Sequence, residues 1–173
     1  MKIAVIRKLL GNERASEIAE AALVMPIAFM ILLGIYWFGR AFNIYATIND
    51  AAREGARVAV AQTCGGCGNT AQSTANITSA VTQTLQASSV DPGQIKAYAP
   101  AVNAGVCGGS CKSNNNINVC TNVQLDTPPT GGGAAACGVV VSFQYPYGFW
   151  LPFTSLNNQT ITLTADVQMT GEY

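Results

Sequence analysis

Six cysteines are the residues of this chain whose type and spacing most suggest chemistry. Cys64-Gly-Gly-Cys67 is a C-x-x-C and Cys107-Gly-Gly-Ser-Cys111 a C-x-x-x-C, with Cys120 and Cys137 further on. Three chemistries fit such a set. Structural disulfides would staple long loops, each adding about 2–4 kcal/mol to a domain with little apolar core. A zinc site would have to be all-thiolate, because the chain has no histidine. A thioredoxin-like redox pair at Cys64 and Cys67 would need a lowered thiol pKa, ordinarily supplied at the start of a helix in a βαβ unit. Here the motif follows a helical stretch, and glycines fill both middle positions. Staples are the preferred reading. Among the connectivities six cysteines allow are local pairs, Cys64–Cys67 and Cys107–Cys111, and a Cys120–Cys137 bridge joining the starts of two adjacent strands.

Glu20 is the second chemically suggestive residue, one position before a long apolar run, with Glu17 a turn earlier. A carboxylate drawn toward lipid is costly unless its head stays in water or meets a cation. A cation on another subunit, such as an N-terminal amine freed by proteolysis, would suit it. Classical hydrolytic machinery is excluded, since Ser-His-Asp and Cys-His arrangements both need an imidazole. Asp91, Asp126 and Asp166 are isolated in the sequence, and Gly131-Gly132-Gly133 sits in a Pro/Thr/Ala loop without the helix a phosphate site requires. No enzyme activity, cofactor or metal is expected. Zero net charge gives no reason to expect a nucleic-acid partner.

These groups must be positioned by the elements around them. Ala21–Phe38 is an uninterrupted run of 18 uncharged, mostly apolar residues. As a helix it rises about 27 Å, close to the thickness of a bilayer's hydrocarbon core. Lys2, Arg7, Lys8 and Arg14 precede it, so the positive-inside rule places the N-terminus in the cytoplasm and the cysteines in an oxidising compartment. A cleaved secretory signal is the competing reading. The run is long for that, and Tyr36, Trp37 and Phe38 stand where a small-x-small site would be expected. Pro26 predicts a kink or local loosening, and Gly34 and Gly39 would let another helix approach.

Helical periodicity continues beyond Arg40. Ala41, Ile44, Tyr45, Ile48, Ala51, Ala52, Gly55, Val58 and Ala59 form one stripe, with Asn43, Thr47, Asp50, Glu54 and Arg57 opposite. Asp50–Arg53 and Glu54–Arg57 are spaced to pair, and Gly65-Gly66 is expected to end the helix. A second helix is predicted over 71–87, with Ile77, Ala80, Val81, Thr84 and Leu85 on one side, before the turn Asp91-Pro92-Gly93. Strands are predicted over 95–99, 117–125, 139–145 and 160–169, separated by Gly/Asn loops at 101–116 and 127–136. The aromatic run Phe143–Phe153 is read as a strand end that turns through prolines and packs back on the helix, or as a subunit contact. The fold class is therefore α+β. A long membrane-spanning helix continues into an amphipathic helix that packs on a small antiparallel sheet, with disulfides as staples. The expected organisation is a leader over 1–15, a membrane helix over 16–39, its amphipathic extension over 40–62 and an extracytoplasmic head over 63–173.

The motifs Glu20-Ala-Ala-Leu-Val-Met-Pro26, Gly34-Ile35 with Phe38-Gly39-Arg40, and Asn49-Asp50-Ala-Ala-Arg-Glu-Gly-Ala-Arg57 together resemble the N-terminal signature of TadE-like proteins of the bacterial tight-adherence (Flp) pilus systems. The runs 139–147 and 161–169, with Glu172, are also similar. The family's usual Gly before the processing site is Ala15 here, the aromatic after the Glu is Ala21, and Trp37 replaces an acidic residue. The resemblance implies a pilin-like fold and a structural, non-enzymatic pseudopilin or minor pilin of the inner membrane. It would pack against other pilin subunits and the tight-adherence machinery. A prepilin peptidase would cut between Ala15 and Ser16, leaving Glu20 fifth. The assembly helix would use Glu20, Pro26, Gly34, Gly39, Arg53, Glu54 and Arg57. The alternatives are an envelope thiol–disulfide protein using Cys64 and Cys67, and an anchored adhesive head using the Asn/Gly loops.

Overall fold

The computed structural model describes residues 13–61, 72–103, 105–125, 136–148 and 160–170, with side chains from residue 17 onward. Helix α1, Glu13–Val60, is 48 residues long and remains α-helical through Pro26. The chain divides into two compact units, Met1–Ala41 and Phe42–Tyr173. In the first, large apolar side chains such as Leu23, Met25, Phe29, Met30, Leu32 and Phe38 stand exposed. The helix is long and apolar enough to cross a membrane. Uniform exposure of this kind suits a lipid environment, where no side of a lone helix needs a protein cover. The helix stops at Val60, short of Gly65-Gly66, and Ala61 N–H donates to the Val58 carbonyl at 3.3 Å.

In the second unit, α1 buries Ile48, Ala51, Ala52, Gly55, Ala56 and Ala59, a stripe at helical spacing. Tyr45, assigned to that stripe from periodicity, is exposed instead, and Ala56 takes a place in the face. Helix α2 runs Thr74–Ala87. It starts later than its periodicity predicts because Ser73 caps it, its hydroxyl accepting from Asn76 N–H at 3.3 Å. At its other end Ser89 takes a positive φ of 58°. Ser89 N–H donates to Gln86 O, and Val90 N–H to Leu85 O at 2.9 Å. This is a Schellman stop, completed by burial of Val90 and Leu85 in one cluster.

Four antiparallel strands follow in the order β1-β2-β3-β4. They are β1 Ser110–Asn114, β2 Ile117–Gln124, β3 Cys137–Gly148 and β4 Thr160–Thr170. The number of strands matches expectation, but the first is a different segment. Residues 95–99 contribute only the bridge Lys96–Gln144, while β1 forms within what reads as an Asn/Gly loop. Asn115 and Asn116, both at positive φ (50° and 61°), make the tight turn into β2. β3 carries Pro146 past the last residue that pairs with β2, so its missing N–H disrupts no shared ladder.

The helix-facing side of the sheet presents Val119, Val139, Val141, Phe143, Tyr145 and Ala165. These join the α1 stripe and Ile77, Val81 and Leu85 of α2 in one core. The opposite side holds a smaller cluster of Cys120, Val123 and Val140. A register shift between Cys120 and Val123 puts these two on the same face, although plain alternation would separate them.

Candidate functional site

The surface most able to act is α1 itself, because one element carries the lipid-compatible segment and the face that holds the head. Gly55 marks the closest approach on that face. A Cβ at this position would lie 2.5 Å from Val81 Cγ2, 3.6 Å from Val141 Cγ1 and 3.7 Å from Ile77 Cγ2. Small residues at 51, 52, 55, 56 and 59 make α1 flat there, so the valines of the sheet and α2 can pack on its backbone. Gly55 was not singled out for a role by sequence reasoning. The signal was available, since a glycine inside a helix costs about 1 kcal/mol relative to alanine and ordinarily has a packing reason.

The other residues that the resemblance assigns to an assembly helix are not gathered into one site. Glu20 and Pro26 are exposed, and Ala15 and Ser16 lie in the first turn of α1, where side chains are not described. A Cβ at Gly34 or Gly39 would meet nothing within 4 Å. Arg53 donates to Asp50 at 3.3 Å, with both side chains 66% exposed, a pair of little energetic weight. Glu54 and Arg57 are also exposed, and no ion pair joins them among the described residues.

The described cysteines are disulfide-bonded, in a pattern unlike the pairs suggested by proximity in sequence. Cys107 bonds Cys137 and Cys111 bonds Cys120. Neither Cys107–Cys111 nor Cys120–Cys137 forms. The reason lies in the unforeseen strand: β1 places Cys111 directly opposite Cys120 in the antiparallel ladder, at a Cα–Cα distance of 3.9 Å. Cys107, in the 3-10 turn just before β1, is left to reach the start of β3. The smaller bridge lies inside the loop closed by the larger. These bonds consume four of the thiolates that an all-Cys zinc site would draw on. Cys64 and Cys67 lie outside the described residues, as do Asp126, Gly131-Gly132-Gly133 and the aromatics beyond Gly148. Of the aromatic run, Phe143, Tyr145 and Tyr147 are buried in the sheet. No group of three or more His, Cys, Asp or Glu residues is placed to share a metal ion among the described residues.

The polar remainder serves the fold. Ser142 Oγ donates to the Tyr98 carbonyl at 3.1 Å, and Asn116 Nδ2 to the Ile95 carbonyl at 2.9 Å, tying the irregular 95–103 segment to the sheet. The Asp166 carboxyl is the one acidic group on β4. Partial desolvation there pushes its pKa above the ordinary carboxylate value.

Residues 16–57 match the family model of the TadE-like protein. No curated protein and no solved structure matches the chain. The matched segment starts three residues into α1 and ends three residues before its C-terminus.

Proposed function

We propose that this chain, TadE-like over residues 16–57, is a single-pass structural subunit of a tight-adherence-type pilus assembly, without enzyme activity. One observation carries the reading. The TadE-like segment coincides with a helix that is apolar and exposed on all sides over its first half and buried along one stripe over its second. Such a helix fits a role in holding a folded head at a bilayer and packing against other helices within it. The basic leader favours a cytoplasmic N-terminus, with the disulfide-bonded head outside the inner membrane. In lipid, association would rest on van der Waals packing, with Gly34 and Gly39 as points of close approach. Glu20 would pair with the N-terminal amine of a neighbouring subunit, created if a prepilin peptidase cuts between Ala15 and Ser16. Partners would be other pilin or pseudopilin subunits and the inner-membrane tight-adherence machinery.

The reading is tested by expressing the full chain with a C-terminal tag in a piliated host. Three outcomes are expected: resistance to carbonate extraction from membranes, protease access to the head only after the outer membrane is opened, and cross-linking through Cys at position 34 to another pilin subunit. A product found soluble, starting beyond residue 40, would refute it. N-terminal sequencing of the membrane form reports whether Ser16 is the first residue.

A further inference from the structure

β4 is an edge of the sheet, and its outer side pairs with no strand among the described residues. Which of its main-chain groups point outward follows from β3. Gln144 N–H donates to the Lys96 carbonyl at 2.9 Å, and the Gln144 carbonyl accepts from Lys96 N–H at 2.8 Å, on the flank of β3 away from β4. Gln144 therefore turns its main chain away from Thr164, its partner on β4, and Thr164 turns its own N–H and C=O to the outside. By alternation so do Thr160, Thr162, Asp166, Gln168 and Thr170. All of these but Thr164, which is half-buried, are exposed. An open edge ordinarily carries guards such as brevity, lysine, proline or a bulge. The opposite edge, β1, is five residues long and carries Lys112. β4 is 11 residues long, spanning about 36 Å, and pairs with β3 without a register shift. It has neither proline nor lysine, and Asp166 is its one charged residue.

We propose that the β4 edge is an interface at which a second copy of this chain adds its own β4, antiparallel, about a two-fold axis through Ala165. This goes beyond the membrane-anchor reading and does not depend on it. The occupant follows from what the edge can accept. In the register centred on Ala165, Thr164 of one copy faces Asp166 of the other, Thr162 faces Gln168 and Thr160 faces Thr170. All six turn their main chains outward, so each facing pair exchanges two hydrogen bonds and no outward group of β4 is left over. The Thr164 hydroxyl can donate to the carboxylate opposite it, and the two carboxylates stay out of direct opposition. On the helix-facing side Leu163 meets Val167 and Ala165 meets its twin, so apolar residues face apolar residues. Centring on Asp166 instead would set two carboxylates face to face, and centring on Thr164 would leave Thr170 overhanging. The pairing joins two four-stranded sheets into one, in the closed, isologous arrangement ordinary for identical chains.

Register-specific cross-linking of the full chain in mild non-ionic detergent, with native disulfides intact, tests this. Two differently tagged copies, one Thr164→Cys and one Asp166→Cys, are mixed and oxidised with copper phenanthroline. Facing residues of this kind have Cα atoms about 5.5 Å apart, within disulfide reach. A mixed dimer should form, as should one from Thr162→Cys with Gln168→Cys. Thr160→Cys with Thr162→Cys, about 26 Å apart in this register, should give no more than the chain without added cysteine. Charge then checks the facing pair. Thr164→Lys places a cation opposite Asp166 twice per dimer, and Thr164→Asp an anion. Read through the 162–168 cross-link over a dilution series, the first should tighten the dimer and the second weaken it, each by about 2- to 30-fold. Circular dichroism checks that each variant keeps the folded head. Equal cross-linking in all three mixes, no mixed dimer, or changes of the same sign at position 164 overturn the pairing, whether another protein or the chain's own residues then cover the edge. Dimers held through the anchor alone would lack the 164–166 cross-link and count against it equally.

Discussion

Replacing Gly55 by alanine should destabilise the head, although alanine is the better helix former. The helix term favours the substitution by about 0.8–1 kcal/mol. Against it, the new methyl would sit 2.5 Å from Val81 Cγ2, where carbon atoms ordinarily rest at about 3.5–4.0 Å. Contacts with Val141 and Ile77, at 3.6 and 3.7 Å, would be normal, so the clash is with one side chain. Val81 is fully buried and β-branched on a helix, which leaves its χ1 little freedom to yield. Overpacking of this kind costs about 1–3 kcal/mol. The net expectation is a loss of up to about 2 kcal/mol for Gly55→Ala, and more for Gly55→Leu. The decisive measurement is a double-mutant cycle with Val81→Ala, which removes the clashing atom. In that background Gly55→Ala should stabilise by about the helix term alone, so the sign of its effect reverses. Guanidinium unfolding of the full chain in mild non-ionic detergent, followed by circular dichroism with disulfides intact, reads both values. The close-approach reasoning is refuted if Gly55→Ala stabilises the wild-type background, or has the same effect in both.

Loss of the Cys107–Cys137 bridge, separated by 30 residues, should cost about 3.6 kcal/mol by loop-closure entropy. Loss of Cys111–Cys120, separated by 9, should cost about 2.6 kcal/mol. Serine pairs and the same unfolding assay give the comparison, and an inverted order would contradict the entropic account. Asp166 holds its proton more tightly folded than unfolded. Its contribution to stability is therefore present at low pH and lost as pH rises from the ordinary carboxylate range through its raised folded pKa. Asp166→Asn should flatten that part of the stability–pH curve and at neutral pH leave the head as stable or more so. Ser73→Ala should cost about 1 kcal/mol through the lost cap on Asn76 N–H, measured by the same denaturation. Gly34→Ala and Gly39→Ala should leave the unfolding midpoint of the head unchanged, because a Cβ meets nothing within 4 Å. Reduced cross-linking to a second subunit with an unchanged midpoint would locate a helix contact at those glycines.

The parts of the structure legible in the sequence are those governed by a single periodicity. Ala21–Phe38 could be read because an unbroken apolar run has few other uses, and residues 48–59 because small and apolar residues recur at helical spacing. Tyr45 shows the limit: periodicity puts it on the buried stripe, yet it is exposed while Ile44 beside it packs on the core and Ile48 is buried. β1 was not legible. Ser110-Cys-Lys-Ser-Asn114 is a largely exposed edge strand with no apolar alternation, and it exists because its ladder to β2 and a two-asparagine turn hold it. Residues 95–99 do alternate, yet only Lys96 reaches β3. The disulfide pattern was hidden by the same gap, since Cys111 finds Cys120 only once β1 is in register.

The two halves of α1 differ in what their side chains meet, and the composition changes accordingly. Before Phe42 the exposed side chains are mostly Leu, Ile, Met and Phe, which on the proposed single-pass reading would gain from contact with acyl chains. From Ala51 onward the buried face is alanine and glycine, because the valines and Phe143 it meets supply the bulk and need a flat partner. A large side chain on either surface has the opposite consequence. At Ile31, an exposed position, it costs the head nothing; at Gly55 it pries α1 from its packing partners. The TadE-like segment, residues 16–57, spans both regimes and stops where the buried face is ending. What it specifies in physical terms is a helix with a greasy shaft and a smooth grip. The head's own sheet, turns and staples then need only offer a complementary apolar face to be carried by it.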